Sequence, residues 1–156
     1  MVEVIKLVIS IVLCQLAGFI GSIYTRDSVE TWYKVLNKPS FNPPNWLFGP
    51  VWITLYVLMG ISAYFVWKEG FQIREVKYAL SIFLIQLVFN SLWSIVFFGS
   101  RSITGGLIVI IILWVLILVT ILSFYKISAI SAYLLIPYLL WVTFASVLNF
   151  TIWQLN

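Results

Sequence analysis

The sequence predicts an all-α integral membrane protein, a five-transmembrane-helix bundle with a long first loop acting as a lid. Three observations predict it. Of 156 residues, 63% are hydrophobic and only 9% charged, the inverse of the surface a soluble domain of this length presents to water. Five apolar stretches are each long enough, at about 20 residues, to cross a hydrocarbon core of roughly 30 Å as a helix. They are continuously apolar, whereas barrel strands alternate polar and apolar residues over about ten positions.

The first span is placed at residues 4–24. Lys6 precedes its apolar run as in a signal peptide, but no small-x-small cleavage site follows, so it reads as a membrane helix. Ala17, Gly18, Gly21 and Ser22 form two interleaved small-xxx-small pairs that admit another helix at close range, either within the bundle or across a homodimer. Residues 25–45 form the first loop. With Trp32, Tyr33, Leu36, Lys38-Pro39 and Pro43-Pro44 it is apolar and proline-stiffened, which favours a lid folded over the bundle above an interfacial loop resting among headgroups.

The second span, 46–67, has Asn45 as its expected N-cap and Pro50 in its second turn. The third spans 76–98, the fourth 105–125 and the fifth 130–153, with Pro137 inside it. Each proline should bend its helix and release a backbone carbonyl. No repeat or composition shift divides the chain, so residues 1–156 read as one domain.

The net charge of +4 lies in loops and helix ends without a basic run, which reads as contact with the lipid bilayer and not with nucleic acid. Five of the nine Lys and Arg fall on the N-terminal side and four on the first-loop side, so the charge bias selects no orientation. Cys14 is alone, and there is no His, so no intrachain disulfide, zinc or axial-histidine site is expected. All five carboxylates lie outside the spans or at their ends, which argues against a proton- or ion-coupled pump. Hydrolysis by a base-activated serine has no candidate base.

Within the spans, amides and aromatics recur at helical spacing. Gln86, Asn90, Trp93 and Phe97 share a face of the third helix; Trp141, Ala145, Asn149 and Trp153 recur every four in the fifth; Trp52 and Tyr56 stand four apart in the second. An odd number of spans puts Trp52, Asn90, Trp93 and Asn149 in the half of the membrane nearest the first loop. At 1.5 Å per residue Trp52 lies about 9 Å and Asn90 about 12 Å below that surface, with Trp141 deeper.

Amides facing lipid would lack partners, so Gln86, Asn90 and Asn149 are expected inside the bundle. One such amide is sufficiently explained as interhelical glue, worth roughly 1 kcal/mol. Three amides with Trp52, Trp93 and Trp141 beneath an aromatic loop point instead to a cavity for a flat, mostly apolar small molecule. Trp46, Trp67 and Trp153, at span ends, are expected in the interfacial belt, and Trp114 against lipid or packed.

The chain resembles the TspO family, also called translocator proteins, tryptophan-rich sensory proteins or peripheral benzodiazepine receptors. The resemblance rests on Trp32-Tyr33, Leu36, Lys38-Pro39 and Pro43-Pro44, then Phe48, Pro50-Val51-Trp52 and Leu55-Tyr56. It continues through Gln86-Leu87, Asn90, Trp93-Ser94 and Phe97-Phe98 to Pro137-Tyr138, Trp141, Phe144-Ala145 and Leu148-Asn149. It implies a five-helix bundle, commonly dimeric, whose cavity binds porphyrins and other tetrapyrroles, with Tyr33, Pro43, Pro44, Trp52, Asn90, Trp93, Trp141 and Ala145 lining it. Tyr56 and Asn149 join that set from spacing. Phe150 and Gln154 stand where the sterol motif of animal members implies a tyrosine and an arginine, so sterol binding is not expected and a bacterial cell membrane is favoured over the mitochondrial outer membrane.

Three functions follow in order of expectation. The first is a receptor or binding protein for porphyrins, serving transport or stress sensing, with no obligatory cofactor and with any porphyrin or haem-type ligand held without histidine. The second is a porphyrin-degrading enzyme using Trp52 and Trp141 as weak catalytic candidates; no acid, base or metal centre supports it. The third is a structural membrane protein whose polar groups only join helices.

Overall fold

A computed structural model describes residues 1–156, all helix and connecting loop. Five helical segments are long and apolar enough to span a membrane, and the protein is a multi-pass integral membrane bundle. Helix α1 runs Val2–Glu30, α2 Asn45–Trp67, α3 Arg74–Ser94 and α4 Ile103–Tyr125, while the fifth span is split into α5, Ala129–Leu134, and α6, Ile136–Leu155.

α1 lies against α2 and α3, α3 against α4, and α4 against the fifth span, whose first part α5 closes the ring on α2. Without a hydrophobic force between helices in lipid, such contacts depend on close van der Waals packing. Gly60 of α2 shows this at its tightest, since a Cβ there would come within 2.5 Å of the Ile11 Cα on α1. The small stripe of α1 is used in the same way. A Cβ on Gly18 would strike the Tyr56 ring and one on Gly21 the Ser94 hydroxyl, while the Ala17 carbonyl accepts from Ser91 Oγ. Ala17, Gly18 and Gly21 of this stripe thus pack on α2 and α3 of the same chain, and Ser22 turns its hydroxyl onto the Phe19 carbonyl.

Three boundaries differ from expectation. α1 continues to Glu30, so the first loop shortens to residues 31–44; the Thr25 hydroxyl donates to the Gly21 carbonyl within the helix, and the Thr31 hydroxyl, at the non-helical C-cap, donates to the Asp27 carbonyl. Asn45 is the first residue of α2 and Pro44 takes the cap position, with no side-chain cap bond. A proline there loses nothing, because a cap position needs no N–H. α3 passes into a π-helical turn at Ile95–Gly99, where the Ser100 amide bonds to the Ile95 carbonyl five residues back. The extra residue leaves the adjacent Phe97 and Phe98 both buried.

Of the two prolines, Pro137 has the larger effect. It lacks the N–H that would carry the helix through, and the span breaks at Leu135, whose amide bonds three residues back to Ala132. α5 packs on α2, but beyond the break α6 leaves α2 and leans on α4. α2 passes through Pro50 uninterrupted.

Candidate functional site

Where α2 and α6 separate, the bundle holds a cavity of about 920 Å³, bounded by α1, α2, α3 and α6 and capped by Tyr33 of the first loop. Its position follows from the break at Leu135: helices that touch near α5 diverge towards the loop.

The roof is fixed by aromatic packing. Tyr33, in a short 3-10 turn at Tyr33–Val35, is buried edge-on against Phe97 and Phe98, and Trp32 packs edge-on against Phe97 at 5.5 Å. The Tyr33 hydroxyl donates to Asn42 Oδ1 at 2.8 Å. Lys38 donates to the Tyr33, Leu36 and Lys34 carbonyls while its ammonium sits 4.8 Å from the centre of the Tyr33 ring. Burial pushes the Tyr33 hydroxyl up to about 12 from its usual 10.0. Asn37 and Asn156 clasp the loop to the end of α6 through the Asn37 amide and carbonyl.

The walls are held by a polar ladder. Tyr56 donates to Asn90 Oδ1, Asn90 Nδ2 donates to the Tyr138 hydroxyl at 2.8 Å, and that hydroxyl donates to Gln86 Oε1 at 2.7 Å. α2, α3 and α6 are thereby joined at one depth. A second link runs from Trp93 Nε1 to Asn149 Oδ1, with Asn149 Nδ2 donating to the Ile103 carbonyl. Gln86, Asn90 and Asn149 are all buried inside the bundle, as their chemistry requires. The oxygen and nitrogen of both asparagine amides are already engaged by protein, so each acts mainly by fixing a neighbouring aromatic ring. Asn90 holds Tyr56, which stacks on Trp52 at 5.6 Å; Asn149 holds Trp93, which stacks on Phe97 at 5.3 Å.

Trp141 differs. Phe48 and Phe144 flank it at 6.0 and 5.5 Å, and its Nε1–H is buried with no acceptor. A buried unsatisfied donor costs about 1–3 kcal/mol.

Of the residues expected to line a site, Tyr33, Trp52, Tyr56, Asn90, Trp93, Trp141, Ala145 and Asn149 line this cavity. Pro43 and Pro44 do not; they lead the chain into α2 and shape the loop from outside. Gln86 lies below the cavity, and Trp153 turns out towards lipid while Ile152 lines the wall. Steps of four drift about 40° each on a helix of 3.6 residues per turn, so the third step carries Trp153 off the face. Trp114 packs inward and donates to Thr143 Oγ1.

Sequence reasoning missed the whole contribution of α1. Gln15, Phe19, Arg26 and Glu30 line one side of the cavity. The small-residue stripe signalled a close neighbour for α1 without indicating that the same face opens higher up. Between α1 and α2 the wall is incomplete: Phe19, Ile53 and Trp46 line the cavity yet are 56%, 59% and 72% exposed. The lower edge of this gap is tied by Gln15 Nε2 to the Ile53 carbonyl. The cavity thus opens sideways, towards lipid. Arg26 and Glu30 are the only charged residues lining it.

Comparison with known proteins gives one consistent result. The model of the TspO/MBR family matches residues 10–154. The chain is 45% identical to "Tryptophan-rich protein TspO" of Chlorobaculum tepidum over 99% of its length and 98% of the relative's. It is 48% identical to the protein of the same name from Archaeoglobus fulgidus over 99% of each chain. It is 38% identical to "Translocator protein" of Bos taurus over 91% of its own length and 85% of the relative's.

Proposed function

The chain belongs to the TspO/MBR family, and from that premise we propose that it is a membrane-embedded binding protein for porphyrins or related tetrapyrroles. The observation that supports this most is the cavity itself. Its volume of about 920 Å³ lies near the upper end of the range for small-molecule pockets, roughly 300–1,000 Å³, and its walls are mostly apolar. Trp52, Trp93 and Trp141 supply broad faces, and each stacked contact contributes about 0.5–1.5 kcal/mol beyond area burial. A flat macrocycle matches these walls.

The gap between α1 and α2 supports exchange of an apolar ligand with the bilayer, which suits a role in handling, transport or sensing of tetrapyrroles. The 45% identity to the Chlorobaculum tepidum relative, against 38% to the bovine one, supports a bacterial cell membrane as the location.

The test is a titration of purified protein with protoporphyrin IX, following quenching of tryptophan fluorescence. Saturable quenching is expected, with affinity about tenfold weaker, near 1.4 kcal/mol, in Trp141→Phe and in Ala145→Phe, which fills the cavity. Linear quenching, equal in all three proteins, is partitioning into detergent and rejects the reading.

A further inference from the structure

We infer a second binding site, for one acyl chain of an anionic phospholipid, in the half of the membrane opposite the aromatic cavity. It is a groove of about 170 Å³ between the start of α1, the end of α2 and the start of α3. Eight of its nine lining residues are hydrophobic, and the ninth, Ser10, spends its hydroxyl on the Lys6 carbonyl at 2.8 Å. Its walls therefore offer hydrocarbon contact and no hydrogen bond, which suits an acyl chain and disfavours a polar metabolite.

The chemistry changes at the outer end. Trp67 and Phe71 both line the groove, and each carries an ammonium over its ring: Lys6 lies 5.7 Å from the Trp67 centroid and Lys77 5.8 Å from that of Phe71. Two positive charges thus stand at the mouth of an apolar slot, at the depth where phosphates lie. Glu3, 3.6 Å from Lys6, offsets part of that charge, while Lys77 forms no ion pair. Lys68 leans away over Phe65 and Tyr64. Depth agrees with this arrangement. Ile9 and Leu13 on α1, and Leu80 and Leu84 on α3, fall about 10–16 Å along their helices from the membrane end, a span an acyl chain follows while its phosphate stays between the lysines. A lipid held this way differs from the surrounding shell in its preference for negative charge, by about fivefold per lysine.

The test is native mass spectrometry of delipidated protein offered equal amounts of phosphatidylglycerol and phosphatidylcholine with identical chains. One retained phosphatidylglycerol per chain is expected, favoured about five- to tenfold over phosphatidylcholine. Lys6→Gln with Lys77→Gln should erase that preference, and Ala63→Leu, which fills the groove, should abolish retention, while far-UV circular dichroism is unchanged in each. Equal retention of the two lipids, preference undiminished in the lysine variant, or a dimer carrying no lipid in this mixture overturns the proposal; the last result would mean that a second copy covers the groove.

Discussion

Replacing Asn90 with Leu keeps the number and branching of the side-chain heavy atoms and removes the centre of the ladder that joins three helices. The Tyr138 hydroxyl keeps Gln86 as its acceptor, but the Tyr56 hydroxyl, in a side chain only 6% exposed, is left with none. An orphaned buried hydroxyl costs about 1–3 kcal/mol, and interhelical hydrogen bonds in membranes average about 0.6 kcal/mol with a maximum near 1.7. Loss of both contacts should therefore destabilise the bundle by about 2 kcal/mol. The assay is reversible unfolding by sodium dodecyl sulfate in mixed micelles, with Asn90→Leu, Tyr56→Phe and the double variant compared in a thermodynamic cycle. Because the cost resides in the abandoned Tyr56 hydroxyl, Tyr56→Phe should recover about 1 kcal/mol in the Asn90→Leu background. Ligand affinity should fall as well, since Tyr56 supports Trp52 through their stack. An Asn90→Leu variant within about 0.5 kcal/mol of wild type, or strict additivity of the two substitutions, refutes the ladder as a structural element.

Two glycines of α2 should respond with opposite signs in the same assay. Gly60→Ala places a Cβ against the Ile11 backbone, at 2.5 Å from its Cα and 2.8 Å from its nitrogen, and should cost about 1–3 kcal/mol. Gly49→Ala meets nothing within 4 Å and should stabilise by about 0.5–1 kcal/mol through helix propensity. Tyr33 sets the alkaline limit of the roof. Its hydroxyl is raised from 10.0 to about 12, so above pH 10 the unfolded chain releases a proton the folded chain retains. The stability it contributes is complete below pH 10 and lost as pH rises towards 12; unfolding midpoints across that window should slope downwards in wild type, less so in Tyr33→Phe.

The bundle was legible because its cause is compositional: continuous apolar runs of spanning length leave little choice but helices. The inward amides were legible for a related reason, since Gln86, Asn90 and Asn149 have no acceptable position facing lipid. Their spacing did not reveal how they are spent. Whether an amide meets a ligand or a tyrosine depends on where helices cross, and the partner Tyr138 lies 48 residues from Asn90. Helix ends were the least legible. Thr25 to Glu30 is polar enough to read as loop, yet Ser28 donates to the Phe98 carbonyl and tertiary contact extends α1 past the point where hydropathy ends it. The π turn after Ser94 left no mark in the pattern, because a single added residue is invisible when both Phe97 and Phe98 are apolar. Pro43 and Pro44 were drawn into the cavity by motif position, whereas their effect is on the path of the chain.

The break at Leu135 makes the cavity a consequence of divergence and not of missing side chains. Two helices that meet at one end and part at the other enclose a wedge, whose depth is set by where they part and whose width by the angle between them. Substitutions along the walls, as at Ala145, take up part of that wedge, but its outline follows the backbone at residues 135–137. A chain that straightened its fifth span would lose the space whatever aromatics it carried. One that moved the proline by a turn would raise or lower the floor by about 5.4 Å and so select ligands by length before any side chain touched them.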